Sequence, residues 1–174
     1  MIAWIVVESM FGNTREVAEV VAEELRPDLD VEVLDVSAAP REVPADVAVL
    51  LVGGPTHALG MSRPNTREEA RKRGADGPAE TGIREWLTSA RVRTGLPAAA
   101  FDTHADVRFV PGSAAKSASK RLRRLGCTLV ARPHSFYVED TAGPLAAGAQ
   151  EDARRYAGDV MAALRRLGAP RASA

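Results

Sequence analysis

Short apolar runs recur along the chain at residues 2–7 (IAWIVV), 31–36 (VEVLDV), 47–52 (VAVLLV), 97–101 (PAAAF) and 127–132 (CTLVAR). Runs of this length, bounded by polar segments, predict buried strands. Between them apolar residues return every three or four positions, at Val17, Val20, Val21 and Leu25 and at Ala118, Leu122 and Leu125. A last stripe joins Ala153, Tyr156, Ala157, Val160, Leu164 and Leu167, with Arg154, Arg155, Asp159 and Arg165 off it. These spacings predict helices with one buried face. Strands buried on both faces and alternating with helices require a parallel sheet covered on each side, because parallel neighbours need a crossover of helical length. The predicted fold class is therefore α/β, a three-layer αβα sandwich. Residues 63–82 (RPNTREEARKRGADGPAETG) break the pattern and predict an excursion bearing one short helix, followed by a helix around Ile83–Ala90. One domain is expected over residues 1–167, with a small polar tail at 168–174 expected to be mobile.

Composition narrows this picture without changing it. A chain of 174 residues with 45% apolar side chains can bury a core that needs no disulfide or metal. The lone Cys127, in a predicted strand, has no internal disulfide partner and is expected in the core. No apolar run approaches the roughly 20 residues that span a bilayer, so no membrane partner is expected and a cytoplasmic location is. The zero net charge conceals an asymmetry: residues 1–62 carry 11 acidic and 3 basic side chains, residues 63–174 carry 12 and 20. Mutual neutralisation of the two halves is the expectation, and nucleic-acid binding is not. His57, His104 and His134 have no metal-ligand spacing, so no metal is expected; His134, after a predicted strand, is assigned to surface or core packing.

The candidate chemistry begins with Ser9-Met10-Phe11-Gly12-Asn13-Thr14, between the first strand and a helix starting near Thr14. An uncharged loop at a helix N-terminus can ring a phosphate with backbone N–H groups, aided by the Ser9 and Thr14 hydroxyls and by a glycine that admits a left-handed turn. Asn13 or Thr14 serving as an ordinary N-cap is the competing reading. The sequence contains neither GxxxxGK[ST] nor a GxGxxG after the first strand, so the P-loop and dinucleotide fingerprints are missing.

The stretch IVVESMFGNTREVAEVVAEEL resembles the first strand, phosphate loop and first helix of the flavodoxin family. The resemblance extends to Gly53-Gly54-Pro55-Thr56-His57 after the third strand and to Asp102-Thr103 after the fourth. It implies a five-stranded parallel sheet of order 2-1-3-4-5 and an FMN site where three loops converge at the topological switch point. On that basis Ser9, Met10, Phe11, Gly12, Asn13 and Thr14 would hold the phosphate. Pro55, Thr56, His57, Ala58, Leu59 and Gly60 would border the isoalloxazine ring, with Gly60 free to turn its peptide. Asp102, Thr103 and His104 would form the third wall.

The family usually stacks an aromatic on the flavin from the second or third loop, and Pro55–Ser62 and Asp102–Asp106 contain none. His57, Leu59, Met61 or His104 would cover the ring instead, or Phe109 if its loop folds back. Asp102 capping its own loop, Gly60 as a plain turn residue and neutral imidazoles at His57 and His104 remain open alternatives, as does an imidazolium tuning the flavin. Arg108 reads as a solvated charge. The run Lys116–Arg124 (KSASKRLRR) reads as a solvated helix face or a dock for an acidic redox partner.

FMN brings its own redox chemistry, so no side-chain catalyst is expected. The resemblance implies an FMN-binding electron-transfer protein working between redox partner proteins, a reductase and an acceptor. An FMN-dependent NAD(P)H quinone or nitro-compound reductase of the same fold, or a module that has lost its flavin, are the alternatives.

Overall fold

The computed structural model describes residues 1–57, 59–105 and 112–168. Ala58, Asp106, Arg108, Phe109 and the expected tail beyond Gly168 lie outside the described residues.

The chain runs β1 (Ile2–Val7), α1 (Asn13–Leu25), β2 (Asp30–Asp35), β3 (Val47–His57), β4 (Gly60–Met61), α2 (Pro64–Lys72), α3 (Ile83–Ser89), β5 (Pro97–Ala105), α4 (Ala114–Arg124), β6 (Thr128–Leu129), β7 (His134–Val138) and α5 (Ala149–Arg166). The sheet is ordered β2-β1-β3-β5-β6, with β7 also on β5 and β4 folded back on β3. All pairings are parallel except β3 with β4. The fifth strand position is thus shared by β6, beside Pro97–Ala98, and β7, beside Phe101–Ala105. This is the expected 2-1-3-4-5 order with its last strand split.

Each sheet face has its own core. The α1 stripe of Val17, Val21 and Leu25 and the α5 stripe of Tyr156, Val160 and Leu164 pack on Ile5, Val7, Leu51 and Phe101. On the other face, Trp86 and Leu87 of α3 and Ala118 and Leu122 of α4 pack on Trp4, Leu50, Val52 and Ala98. Side chains alternate along a strand, which is why neighbouring residues of one apolar run serve opposite cores. Leu167 ends outside the predicted stripe, exposed at the C-cap of α5.

Three strand assignments need correction. β3 and β5 run past the predicted ends at residues 52 and 101 to His57 and Ala105, so His57, Asp102, Thr103 and His104 sit on strand ends and not on loops. The predicted strand at 127–132 keeps only Thr128–Leu129, and the main pairing resumes at His134, which lies within β7. Cys127 precedes β6 in the core beside α4, and burial pushes its thiol up to about 11, which keeps it protonated and unreactive at neutral pH. The excursion contains α2, as expected, followed by α3.

Candidate functional site

The first loop is shaped by Gly12, which stands at the N-cap of α1 with φ 90° and no side-chain cap. Neither Asn13 nor Thr14 is the N-cap; both lie in the first turn. The Ser9 hydroxyl accepts the Arg15 N–H at 3.3 Å, and among the described residues no N-cap side chain serves the other first-turn N–H groups of α1. Thr14 is buried, its hydroxyl 2.7 Å from that of Thr103, so the end of β5 is fastened to the first turn of α1.

A cleft of about 110 Å³ opens at this junction. Met10, Phe11, Asn13 and Thr14 line it from the first loop, Pro55, Thr56 and His57 from β3, and Thr103, His104 and Ala105 from β5. Val138 and Thr141 close it from β7 and the turn beyond. Residues from three chain segments predicted to converge therefore do so. Ser9 and Gly12 instead line a separate recess of about 500 Å³ beside the same loop, with Arg15, Asp35 and Asp76–Pro78.

Three candidates are placed differently from expectation. Asp102 is sealed from solvent, its Oδ2 accepting from Thr56 Oγ1 at 3.0 Å, Ser113 Oγ at 2.6 Å and the Ala115 N–H at 2.8 Å. It faces the N-terminus of α4 and does not line the cleft, because alternation along β5 turns Thr103 toward α1 and Asp102 toward α4. Its Oδ1 has no partner among the described residues. Leu59 and Gly60 lie on the β3–β4 hairpin outside the cleft, and the left-handed residue there is Leu59, φ 80°, not Gly60. Gly112, φ 112°, abuts the backbone of Leu59, where any Cβ would collide, so the chain entering α4 rests directly on the hairpin.

The two cleft histidines differ. His57 Nδ1 lies 3.2 Å from Thr66 Oγ1 of α2. Burial, seconded by the Arg67 guanidinium, lowers its pKa below the ordinary histidine value, so the neutral imidazole is the form at pH 7 and the imidazolium alternative falls away for this residue. His104 sets its ring edge-on to Tyr137, centroids 4.9 Å apart, and its Nδ1 is buried without a partner among the described residues. His134 is far from this chemistry: its Nε2 meets Asp152 Oδ2 at 2.6 Å, above Phe136 and Tyr156.

The sequence reading missed a buried polar cluster behind the cleft. Arg67 of α2, fully buried, donates from Nε to Ala79 O at 2.9 Å, from Nη2 to Glu80 O at 3.1 Å and from Nη1 to Ser62 Oγ at 2.8 Å, and pairs with Glu85 at 3.1 Å. Glu8, also buried, accepts from the Ser62 hydroxyl and from the Ile83 N–H at 2.8 Å. Burial raises the Glu8 pKa, an effect that the Ser62 and Ile83 hydrogen bonds and the Arg67 charge reduce without cancelling. The cluster clamps both ends of the excursion to the end of β1. Gly77 then lies so close to Ser9 and Met10 that a side chain there would collide, and Met10 packs with Phe11, Ala70 and Ala75. The excursion is thereby a wall of the first loop. Phe11, from the first loop, is an aromatic side chain lining the cleft among the described residues; Pro55–Ser62 and Asp102–Asp106 contain none.

Comparison with solved structures identifies the fold as flavodoxin-like. Oxidised flavodoxin 1 from Bacillus cereus superposes with a TM-score of 0.68 at 17% identity, covering 93% of this chain and 98% of that one. A flavodoxin from the domain Archaea gives 0.64 at 17% identity, over 95% and 99%. A metal-soaked flavodiiron core from Synechocystis gives 0.64 at 13% identity, over 96% of this chain and 36% of that chain. No protein-family model and no curated protein matches the chain. Among the described residues no helix is long and apolar enough to cross a membrane, and no group of three or more His, Cys, Asp or Glu is arranged to hold a metal ion.

Proposed function

We propose that this chain binds FMN in the cleft between the first loop, β3 and β5 and carries electrons between redox partner proteins, a reductase and an acceptor, in the cytoplasm. The observation that carries the reading is the uncapped N-terminus of α1 at Gly12, adjoining a cleft walled by Thr14, Thr103, His57 and His104. A dianionic phosphate suits that helix end, where N–H groups and the macrodipole favour negative charge. The unpartnered Nδ1 of His104 offers a further hydrogen bond to a polar ligand in the cleft.

In this reading Ser9 to Thr14 hold the phosphate, and Pro55, Thr56, His57, Thr103 and His104 border the rest of the cofactor. Leu59 and Gly60 stand at the rim, and Asp102 acts behind it by fixing Thr56 and the start of α4. When bound, FMN supplies one- and two-electron redox chemistry. The protein's part is to bind it, orient it and keep water from part of its surface. Thr103 and Thr14 lock two walls together, Asp102 holds Thr56 against α4, and neutral His57 is oriented by Thr66. No side chain is asked to act as nucleophile or general base.

The test is the visible spectrum of the purified protein, with release and chromatography of any yellow cofactor. Near-stoichiometric FMN supports the reading. A colourless protein that also refuses added FMN overturns it in favour of a binding module without flavin. A second reading, an FMN-dependent NAD(P)H quinone or nitro-compound reductase, is favoured by a recess of about 210 Å³ next to the cleft, bounded by His57, Thr66, Glu69 and Arg73. Fast oxidation of NAD(P)H by the holoprotein without a partner would select it.

A further inference from the structure

The two charge-imbalanced halves of the chain do not neutralise each other evenly. On the α1–α5 face, ion pairs join Arg165 to Asp28 at 2.8 Å, Arg155 to Asp152 at 3.1 Å and Arg154 to Glu151 at 3.3 Å. On the α3–α4 face, among the described residues, the ion pair is that of Glu85 with Arg67 at 3.1 Å. Residues 83–132 carry ten basic and three acidic side chains. Of those three acids, Asp102 is sealed beneath α4, Glu85 is held by Arg67, and Asp106 lies outside the described residues. Among the described residues Arg63, Arg84, Lys116, Lys120, Arg121 and Arg124 take part in no ion pair.

The packing of α4 gathers these cations. Its buried stripe is Ala114, Ala115, Ala118, Ser119 and Leu122, so Lys116, Lys120 and Arg124 point to solvent. Arg121 reaches Thr88 Oγ1 at 2.6 Å, and Arg84 reaches Met61 O at 2.6 Å and Ser62 O at 2.9 Å. Partial burial, with the nearby positive charges of Arg63 and Arg121, holds Arg84 below the ordinary arginine value, which marks how tightly the cations crowd. The face meets the cleft at the β3–β4 hairpin. A Cβ on Gly60 would lie 3.5 Å from Ser117 Oγ of α4, the Ala114 N–H donates to Thr56 at 2.8 Å, and Leu59 beside them is 56% exposed.

We infer that the α3–α4 face, with Leu59 at its edge, is the docking surface for an electron-transfer protein with an acidic surface. The inference rests on the electron-carrier reading above, which makes the partner a redox protein. A small apolar contact ringed by uncompensated charge of one sign suits a short-lived complex, because the charges steer encounter and fix orientation while the small apolar area lets the partner leave. Nucleic acid fits the surface less well: α3 and α4 expose no aromatic side chain on which a base could stack.

The probe is an acidic plant-type [2Fe–2S] ferredoxin, titrated against the FMN-loaded and FMN-free protein by calorimetry. At about 20 mM salt it should bind, with affinity falling about tenfold or more by about 300 mM. Lys116→Glu/Lys120→Glu/Arg124→Glu should weaken binding by a similar factor at low salt, while Arg154→Glu/Arg155→Glu, on the opposite face, should leave it unchanged. Basic cytochrome c should bind the first variant better than the wild type. Ferredoxin affinity that is indifferent to the α4 substitutions overturns the inference, as does equal loss with both variants. A 20-base single-stranded DNA bound as tightly as ferredoxin, with the same dependence on α4, overturns it in favour of a general polyanion surface. FMN content is read separately by absorbance, so a protein that holds FMN but does not dock ferredoxin refutes this inference alone, and one that docks ferredoxin without holding FMN refutes the function proposed above.

Discussion

Thr14 and Thr103 share one hydroxyl–hydroxyl contact but differ in what else they can reach, which separates structure from binding at a single pair. Either Thr→Val change breaks the buried 2.7 Å contact and should cost about 1 kcal/mol of folding stability by urea denaturation. Only Thr14 stands in the first turn of α1, beside the proposed phosphate seat. Thr14→Val should therefore weaken FMN binding by about tenfold more than Thr103→Val, measured by quenching of FMN fluorescence; equal losses would remove Thr14 from the phosphate site. Glu8 makes a prediction in pH. Its folded pKa is raised from 4.5, so the folded state binds the extra proton between 4.5 and that raised value. Its contribution is complete below 4.5 and declines as pH rises through the folded pKa. Stability of the wild type relative to Glu8→Gln should fall with increasing pH across that window. His57 runs the other way, since a pKa lowered from 6.5 makes stability decline as pH drops below 6.5.

At the scale of elements, the excursion 63–82 is held by Arg67 more than by apolar packing. Its guanidinium serves two carbonyls, one hydroxyl and one carboxylate in a fixed fork, which a point charge cannot reproduce. Arg67→Met should destabilise the fold by about 3–5 kcal/mol, because it strands buried partners, and Arg67→Lys should recover only part of that in the same denaturation experiment. Trypsin should cut the variants first between Arg71 and Arg73, where the wall of the first loop comes away. Arg67 also shows why some of the structure was not legible in the sequence: nothing distinguishes it from the exposed arginines around it until the fold folds Glu8 and Ser62 beneath α2. The five apolar runs located the sheet, and the three-residue and four-residue spacings located α1, α4 and α5. Strand ends were misread for one reason. Where β3 and β5 leave the core and enter the cleft, their side chains turn polar, so PTH and DTHA carry a loop's composition on a strand's backbone. β7 was hidden by Pro133 and by its place at the sheet edge, where Tyr137 is exposed between buried Phe136 and Val138. Val138 and the following Thr141 were missed with it, while the first loop, whose glycine and hydroxyls are tied to the turn itself, was read in place.

For the whole molecule, the charge distribution bears on the energy of an electron added to the cleft. The net charge is zero, but the cleft's rim borders the cation-rich α3–α4 face, while the acidic residues concentrate in the first 62 positions. His57, held neutral by burial and by Arg67, supplies no positive charge of its own. Stabilisation of negative charge on the reduced cofactor is then expected from the α1 N-terminus and from the field of the surrounding cations rather than from His57. Each surface charge at about 10 Å acts through water-like dielectric and salt, so its individual effect is a fraction of a kcal/mol, and several together reach tens of millivolts. The FMN reduction potential should accordingly be less negative than that of a strongly acidic flavodoxin. Reversing Lys116, Lys120 and Arg124 to glutamate should make it more negative by about tens of millivolts, and the difference should shrink as salt is raised. A spectroelectrochemical titration of both proteins at low and high salt decides the matter. A wild-type potential as low as in the acidic proteins, unmoved by the three substitutions, would mean that the field at the cofactor is set within the cleft and that the basic face acts on partners alone.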